Sequence, residues 1–163
     1  PILLSSYVNF MIAEASIAVP GFIDSARARN QFEAGINASI DKVTNFIPDY
    51  PVLTAPEQTI LNNNKVTYPV FMLTRFDSAS STVKLEIIMK EYYLASWGNG
   101  IEPYNNYRRT GYPSNFQPTV EPTSGDYYYT AFYSGNAVNN NPNTPSNLRS
   151  RKVFWDKANI ILH

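Results

Sequence analysis

The sequence predicts a mainly α-helical chain: a helical hairpin, one long helix and extensive irregular loops. Apolar residues recur at helical spacing through much of the first two-thirds. Strand-like patterning is confined to one short aromatic run. Twelve prolines, with clusters of asparagine, serine and threonine, interrupt the remainder.

From Ser5 to about Ile17, residues Val8, Met11, Ile12 and Ala15 fall at i, i+3, i+4 and i+7, one face of a helix. Ser5 or Ser6 is the candidate cap. Pro20-Gly21 ends the segment, because proline cannot continue a helix and glycine tolerates the turn. A second helix is expected from Ser25, as N-cap, to about Phe46, with Phe32, Ile36, Ile40, Val43 and Ile47 as its stripe. Gly35 costs about 1 kcal/mol relative to alanine in a helix interior. Such a residue points to the close approach of a neighbouring helix. Together these segments make an αα-hairpin over residues 1–47.

Residues 48–81 are expected to form an irregular connection. Pro48, Pro51, Pro56 and Pro69 punctuate it, and Asn62-Asn63-Asn64 marks a turn. Within it, Pro56 to Leu61 reads as a short helix. Residues 82–113 carry the clearest helix, Val83 to Trp97, capped by Ser80 or Ser81. Leu85, Ile88, Met89, Tyr92 and Ala95 form its stripe. Gly98-Asn99-Gly100 ends it, and a shorter helix runs from Glu102 to Arg109 before Gly111-Tyr112-Pro113. Residues 114–163 are expected to be loop-rich. There Tyr127 to Tyr133 is the strand-like run, Val138 to Asn147 reads as loop, and Val153 to Leu162 as one or two helical turns. An αα-hairpin cannot bury its apolar face alone, and solenoids of such hairpins need several units. The partners of this one are expected upstream of Pro1 or on another chain, and the chain is not expected to fold by itself.

Composition narrows the function. Thirteen basic residues balance thirteen acidic ones, and charged residues are only 16% of the 163. That argues against a general nucleic-acid binder, whose affinity comes from neutralising phosphates. With no cysteine there is no disulfide scaffold, thiol nucleophile or thiolate metal site. The single histidine is His163, the last residue, which argues against a histidine metal cage and a buried Ser-His-Asp triad. Pro1-Ile2-Leu3-Leu4 lacks the basic flank and length of a signal peptide, and no apolar run approaches the roughly 18 residues of a membrane span. Twelve tyrosines and abundant asparagine give a polar, uncharged surface able to stack on a ligand.

Few residues suggest catalysis. Glu86 and Glu91 share a helix but stand five residues apart, so they point in different directions. Asp49, Asp77 and Glu121 lie in loops, and nothing singles out a pair with the spacing of a glycosidase. Glu14, in an apolar helix, is expected to satisfy buried donors or pair with an arginine. Gly98-Asn99-Gly100 lacks the strand and the Gly-Lys element of a phosphate loop. Arg108-Arg109, at a helix end, is expected to satisfy carbonyls or buried acids.

Several blocks, in order, resemble the SusD/RagB-like family. Ser6 to Ala15 resembles one of its helices, and Phe32-Glu33-Ala34-Gly35-Ile36-Asn37-Ala38-Ser39 another. The strongest likeness runs from Lys84 to Ala95 and on through Gly100 and Glu102 to Tyr107-Arg108-Arg109-Thr110-Gly111-Tyr112-Pro113. Arg151-Lys152-Val153-Phe154-Trp155-Asp156 resembles the family's usual end. The sequence departs from the pattern at Ala131-Phe132-Tyr133-Ser134, and at Lys90-Glu91, where relatives often carry Gln-Lys.

The resemblance implies the C-terminal part of a SusD-like fold, with residues 1–47 as its last TPR-like hairpin. It implies a cell-surface nutrient-binding lipoprotein of the outer membrane, lipid-anchored through an N-terminal part that is also its structural partner. Such a protein captures oligosaccharide and delivers it to a SusC-like TonB-dependent transporter. It binds and does not catalyse, with no cofactor or metal implied, although loop carboxylates leave calcium open. Alternatives are a peptide-capturing lid of the same transporter, a hydrolase, or a structural helical-repeat adaptor.

Sugars are held by rings stacked on their C–H faces and by amides and guanidiniums on their hydroxyls. Tyr92, Tyr93, Trp97, Tyr104 and Tyr107 fall at helical spacing and are expected to be core, as is Trp155. Tyr50, Tyr68, Phe71 and Phe76 fall in the connection over residues 48–81, where exposed binding residues concentrate. With Asn64 and Arg75 they are the expected ligand surface.

Overall fold

The computed structural model describes residues 3–45, 53–117, 130–146 and 151–157. Among the described residues there are six helices and no strand, so the mainly α class is the class observed. They are α1 Ser5–Ala18, α2 Ser25–Asn45, α3 Ala55–Asp77, α4 Ser81–Ala95, α5 Ile101–Thr110 and α6 Gly135–Asn140. The chain divides into two compact units, Pro1–Asn105 and Asn106–His163.

In the first unit α1 and α2 form the expected hairpin, but α1 buries the opposite face from the one its spacing predicts. Tyr7, Phe10 and Ala13 are buried, while Val8, Met11 and Ile12 are exposed. The helix is apolar on both sides, so periodicity offers two stripes. The side that carries two aromatic rings removes more area from water and wins. The caps also differ from expectation. Leu4 occupies the N-cap of α1 without a side-chain bond. For α2 the cap is Asp24 instead of Ser25, its Oδ1 accepting from the Arg27 amide at 2.9 Å. Arg27 in turn ties the turn between the helices, donating to Ser16 Oγ at 2.9 Å and to the Phe22 carbonyl at 2.7 Å.

Gly35 marks the close approach that its cost in a helix suggests. A Cβ there would lie 2.8 Å from Cε1 of the Phe10 ring. Phe10 belongs to a run of rings joining all four long helices. It stacks on Tyr92 of α4 at 5.7 Å and faces Phe32 of α2 at 6.3 Å. Phe32 stacks on Phe76 of α3 at 4.8 Å, and Tyr7 lies 5.2 Å from Tyr92. Each such pair adds about 0.5–1.5 kcal/mol beyond its buried area.

The expected irregular connection is mostly helix. α3 begins at a capping box in which the Glu57 carboxylate accepts from the Thr54 amide at 2.8 Å and its hydroxyl at 2.7 Å. Those bonds hold the Glu57 carboxyl below its ordinary range. The helix then passes through Asn62-Asn63-Asn64 and Pro69. Interior proline removes a helical hydrogen bond, at about 3 kcal/mol. Here packing overrides that cost, because Pro69, Met72, Leu73 and Phe76 are buried. Ion pairs Arg29–Asp77 at 3.0 Å and Lys65–Asp41 at 3.1 Å tie α3 to α2. α4 follows its expected pattern. Ser80 Oγ accepts from the Val83 amide, and Ile87, Ile88, Met89, Tyr92 and Ala95 are buried.

In the second unit Arg108 does what a helix-end arginine was expected to do. Its Nε donates to the buried Asp156 carboxylate at 2.8 Å, and its guanidinium lies 4.7 Å from the Trp155 ring. Lys157 donates its amide to the Arg108 carbonyl at 2.7 Å. This brings the Lys157 carbonyl within 3.3 Å of a Cβ placed on Gly111, whose φ is +78°. Only glycine fits there. Trp155 is half-exposed instead of core. The expected loop from Val138 starts inside α6, which ends at Asn140. Of the expected helical segment Val153 to Leu162, the described part to Lys157 holds a turn and no helix, and the rest lies outside the described residues. Of the strand-like run, Tyr127 to Tyr129 lie outside the described residues, and 130–134 is not strand.

Candidate ligand-binding groove

At one end α2, α3 and α4 pack through the rings of Phe32, Phe76 and Tyr92. Toward the C-terminal half of α2 they leave a groove of about 690 Å³. Ile36, Ile40 and Val43 of α2, Leu61 of α3 and Leu94 of α4 give it aliphatic walls, with Phe10 of α1 behind. The helical course of α3 gives the expected binding residues an order that a loop would not. Asn64, Tyr68, Phe71 and Arg75 fall at i, i+4, i+7 and i+11, one stripe of the helix. Asn64, Tyr68 and Phe71 line the groove. Phe71 is 56% exposed, and the Arg75 guanidinium lies 5.8 Å from its ring centroid.

Two expected residues fall elsewhere. Phe76 is 1% exposed and stacked on Phe32, so it belongs to the core. Tyr50 lies outside the described residues. Of the aromatics expected to be core, Tyr92 is fully buried, whereas Tyr93 is exposed and Trp97 is 88% exposed.

The groove also holds a polar pair that joins two helices. The Tyr68 hydroxyl donates to Glu91 Oε1 at 2.9 Å. Glu91 is only 6% exposed. Burial raises its pKa, while the Tyr68 hydrogen bond and the charges of Lys90 and Arg75 act the other way. Partial burial and the nearby Glu91 charge push the Tyr68 hydroxyl up, so it stays protonated and a donor. Beside them, Lys65 Nζ pairs with Asp41 and approaches Thr44 Oγ1 at 3.4 Å. Sequence reasoning missed Glu91, although it sits three residues after Ile88 and four before Ala95, on the buried face of α4. An acid within that stripe was the available signal.

Among the described residues no group of histidines or carboxylates is placed to hold a metal ion, and no helix is long and apolar enough to cross a membrane. The arrangement suits stacking, apolar contact and hydrogen bonding. Residues 2–147 match the model of the SusD-like family, described as Susd and RagB outer membrane lipoprotein. No curated protein and no solved structure matches the chain. The family match covers most of the 163 residues, and the chain belongs to the SusD-like family.

Proposed function

We propose, from membership of the SusD-like family, that this chain is the C-terminal part of a cell-surface lipoprotein that captures oligosaccharide and passes it to a SusC-like TonB-dependent transporter. The observation that carries the binding half of this reading is the α3 stripe. Asn64, Tyr68 and Phe71 border one groove, with Arg75 over the exposed Phe71 ring. Rings offer faces to sugar C–H groups, and the amide and guanidinium offer bonds to hydroxyls. The role is binding without catalysis. In the groove Glu91 Oε1 already accepts from Tyr68, and among the described residues no second acid lines the groove to work with it.

A second reading, capture of peptide by the same groove, is favoured by its aliphatic side. Ile36, Ile40, Val43, Leu61 and Leu94 suit apolar side chains better than sugar hydroxyls. Affinity electrophoresis of the native protein through gels carrying different soluble polysaccharides separates the two. The oligosaccharide reading expects retardation by one polysaccharide, relieved by its own oligomers and not by peptides. Relief by peptides alone would decide for the second reading, and unchanged mobility in every gel would count against oligosaccharide capture.

A further inference from the structure

The Tyr68–Glu91 pair presents acceptors and no donor to the groove. Tyr68 has one hydroxyl proton, and that proton is committed to Glu91 Oε1 at 2.9 Å. Toward the groove its oxygen has only lone pairs to give, and an ionised carboxylate likewise only accepts. The other charged residue of the lining, Lys65, is engaged by Asp41 and Thr44. Arg75 and Lys90 act on Glu91 through space, but among the described residues no cation stands within ion-pair distance of it. A carboxylate that is 6% exposed and has no cation against it is costly to keep charged. A cation brought by a ligand would offset that cost.

We propose that the groove takes a primary ammonium group of its ligand against Glu91 and the Tyr68 oxygen, with the ligand's carbon skeleton lying on Ile36, Ile40, Phe71 and Leu94. Amino sugars and lysine side chains share this chemistry. The inference rests on the reading of this groove as the ligand surface. It makes Glu91 the residue that distinguishes a charged ligand from its neutral analogue, and Tyr68 the residue that positions the carboxylate. Binding of an ammonium group weakens as pH falls, because protonation removes the charge that attracts it. The groups facing Glu91 are Tyr68 and Arg75 from α3 and Lys90 beside it on α4. From α1 and α2 the lining is uncharged: Phe10, Ile36, Ser39, Ile40, Val43 and Thr44.

The test is an NMR titration of the full chain with n-butylammonium and with n-butanol, its neutral counterpart. Butylammonium is expected to bind on the order of tenfold more tightly, the range of a charge-assisted hydrogen bond. Glu91→Gln should erase that preference, since the amide keeps the shape and can still accept from Tyr68 but carries no charge. Equal binding of the two probes to the native chain, which needs no variant, would overturn the proposal. So would a preference that survives Glu91→Gln. Further arms use the glucosamine trisaccharide, its N-acetylated form and trilysine. Preference for the free amino sugar assigns the ammonium to a saccharide, and preference for trilysine assigns it to a peptide. If neutral polysaccharides retard the protein while Glu91→Gln changes nothing, oligosaccharide capture stands and the ammonium subsite falls. If butylammonium binds through Glu91 while no saccharide binds, the subsite stands and oligosaccharide capture falls.

Discussion

The two ends of the first unit use the same helices and the same residue types to opposite effect. At one end Phe32, Met72 and Phe76 close α2 on α3, and all are buried. At the other, Val43 is 71% exposed and Phe71 more than half exposed, and the same pair of helices borders the groove. Apolar spacing alone does not separate core from binding surface. What separates them is whether a ring from α1 or α4 reaches the position. Phe10 and Tyr92 serve the closed end, and of the two only Phe10 also lines the groove.

This contrast is broken most severely at the closed end. Phe32→Ala removes the ring that joins Phe10 to Phe76 and is expected to cost about 3–5 kcal/mol, read by chemical denaturation. A loss under about 1 kcal/mol would mean that the rings do not act as one core. Gly35→Ala comes next. Helix propensity favours alanine by about 1 kcal/mol, but the added Cβ meets the Phe10 ring at 2.8 Å, and overpacking costs about 1–3 kcal/mol. The net expectation is a destabilisation of about 1 kcal/mol in the same assay. A stabilised variant would show that the Phe10 ring moves aside freely.

At the open end the order of effects reverses. Phe71→Ala is expected to change stability by no more than about 0.5 kcal/mol, the range of an exposed position, while abolishing retention by whichever ligand retards the native protein. Normal retention with lowered stability would put Phe71 on the core side of the comparison. The smallest effect concerns pH. Burial raises the Glu91 pKa, so between the ordinary glutamate range and the raised value the folded chain holds a proton that the unfolded chain gives up. This contribution to stability is full below the ordinary range and is lost as pH climbs through the folded value. Tyr68→Phe removes the bond that holds the pKa down, so a carboxyl NMR titration should find Glu91 higher still. An unchanged or lower value would show that the hydroxyl does not stabilise the charge.

Much of the fold was legible in the residues. Spacing located α1, α2, α4 and α5, and Gly35 announced the contact with Phe10. α3 was not recognised at full length, because Pro56, Pro69 and three consecutive asparagines are local breakers and the forces that override them come from α2 and α4. The Thr54-x-x-Glu57 capping box, followed by Leu61, Tyr68, Met72 and Phe76, was the available sign. The groove was legible in type but not in arrangement. Asn64, Tyr68, Phe71 and Arg75 read in sequence as loop residues, and only a helix turns their spacing into one stripe. Glu91 was hidden because its partner is 23 residues away on another helix.

The most direct test of this division is residue-resolved NMR on the labelled full chain, titrated with oligosaccharides from the gel panel. Shifts confined to Asn64, Tyr68, Phe71, Arg75 and their neighbours across the groove, with Phe32 and Phe76 unmoved, are the expected result. Shifts that cluster away from the groove, or a spectrum that no oligosaccharide changes, would contradict it.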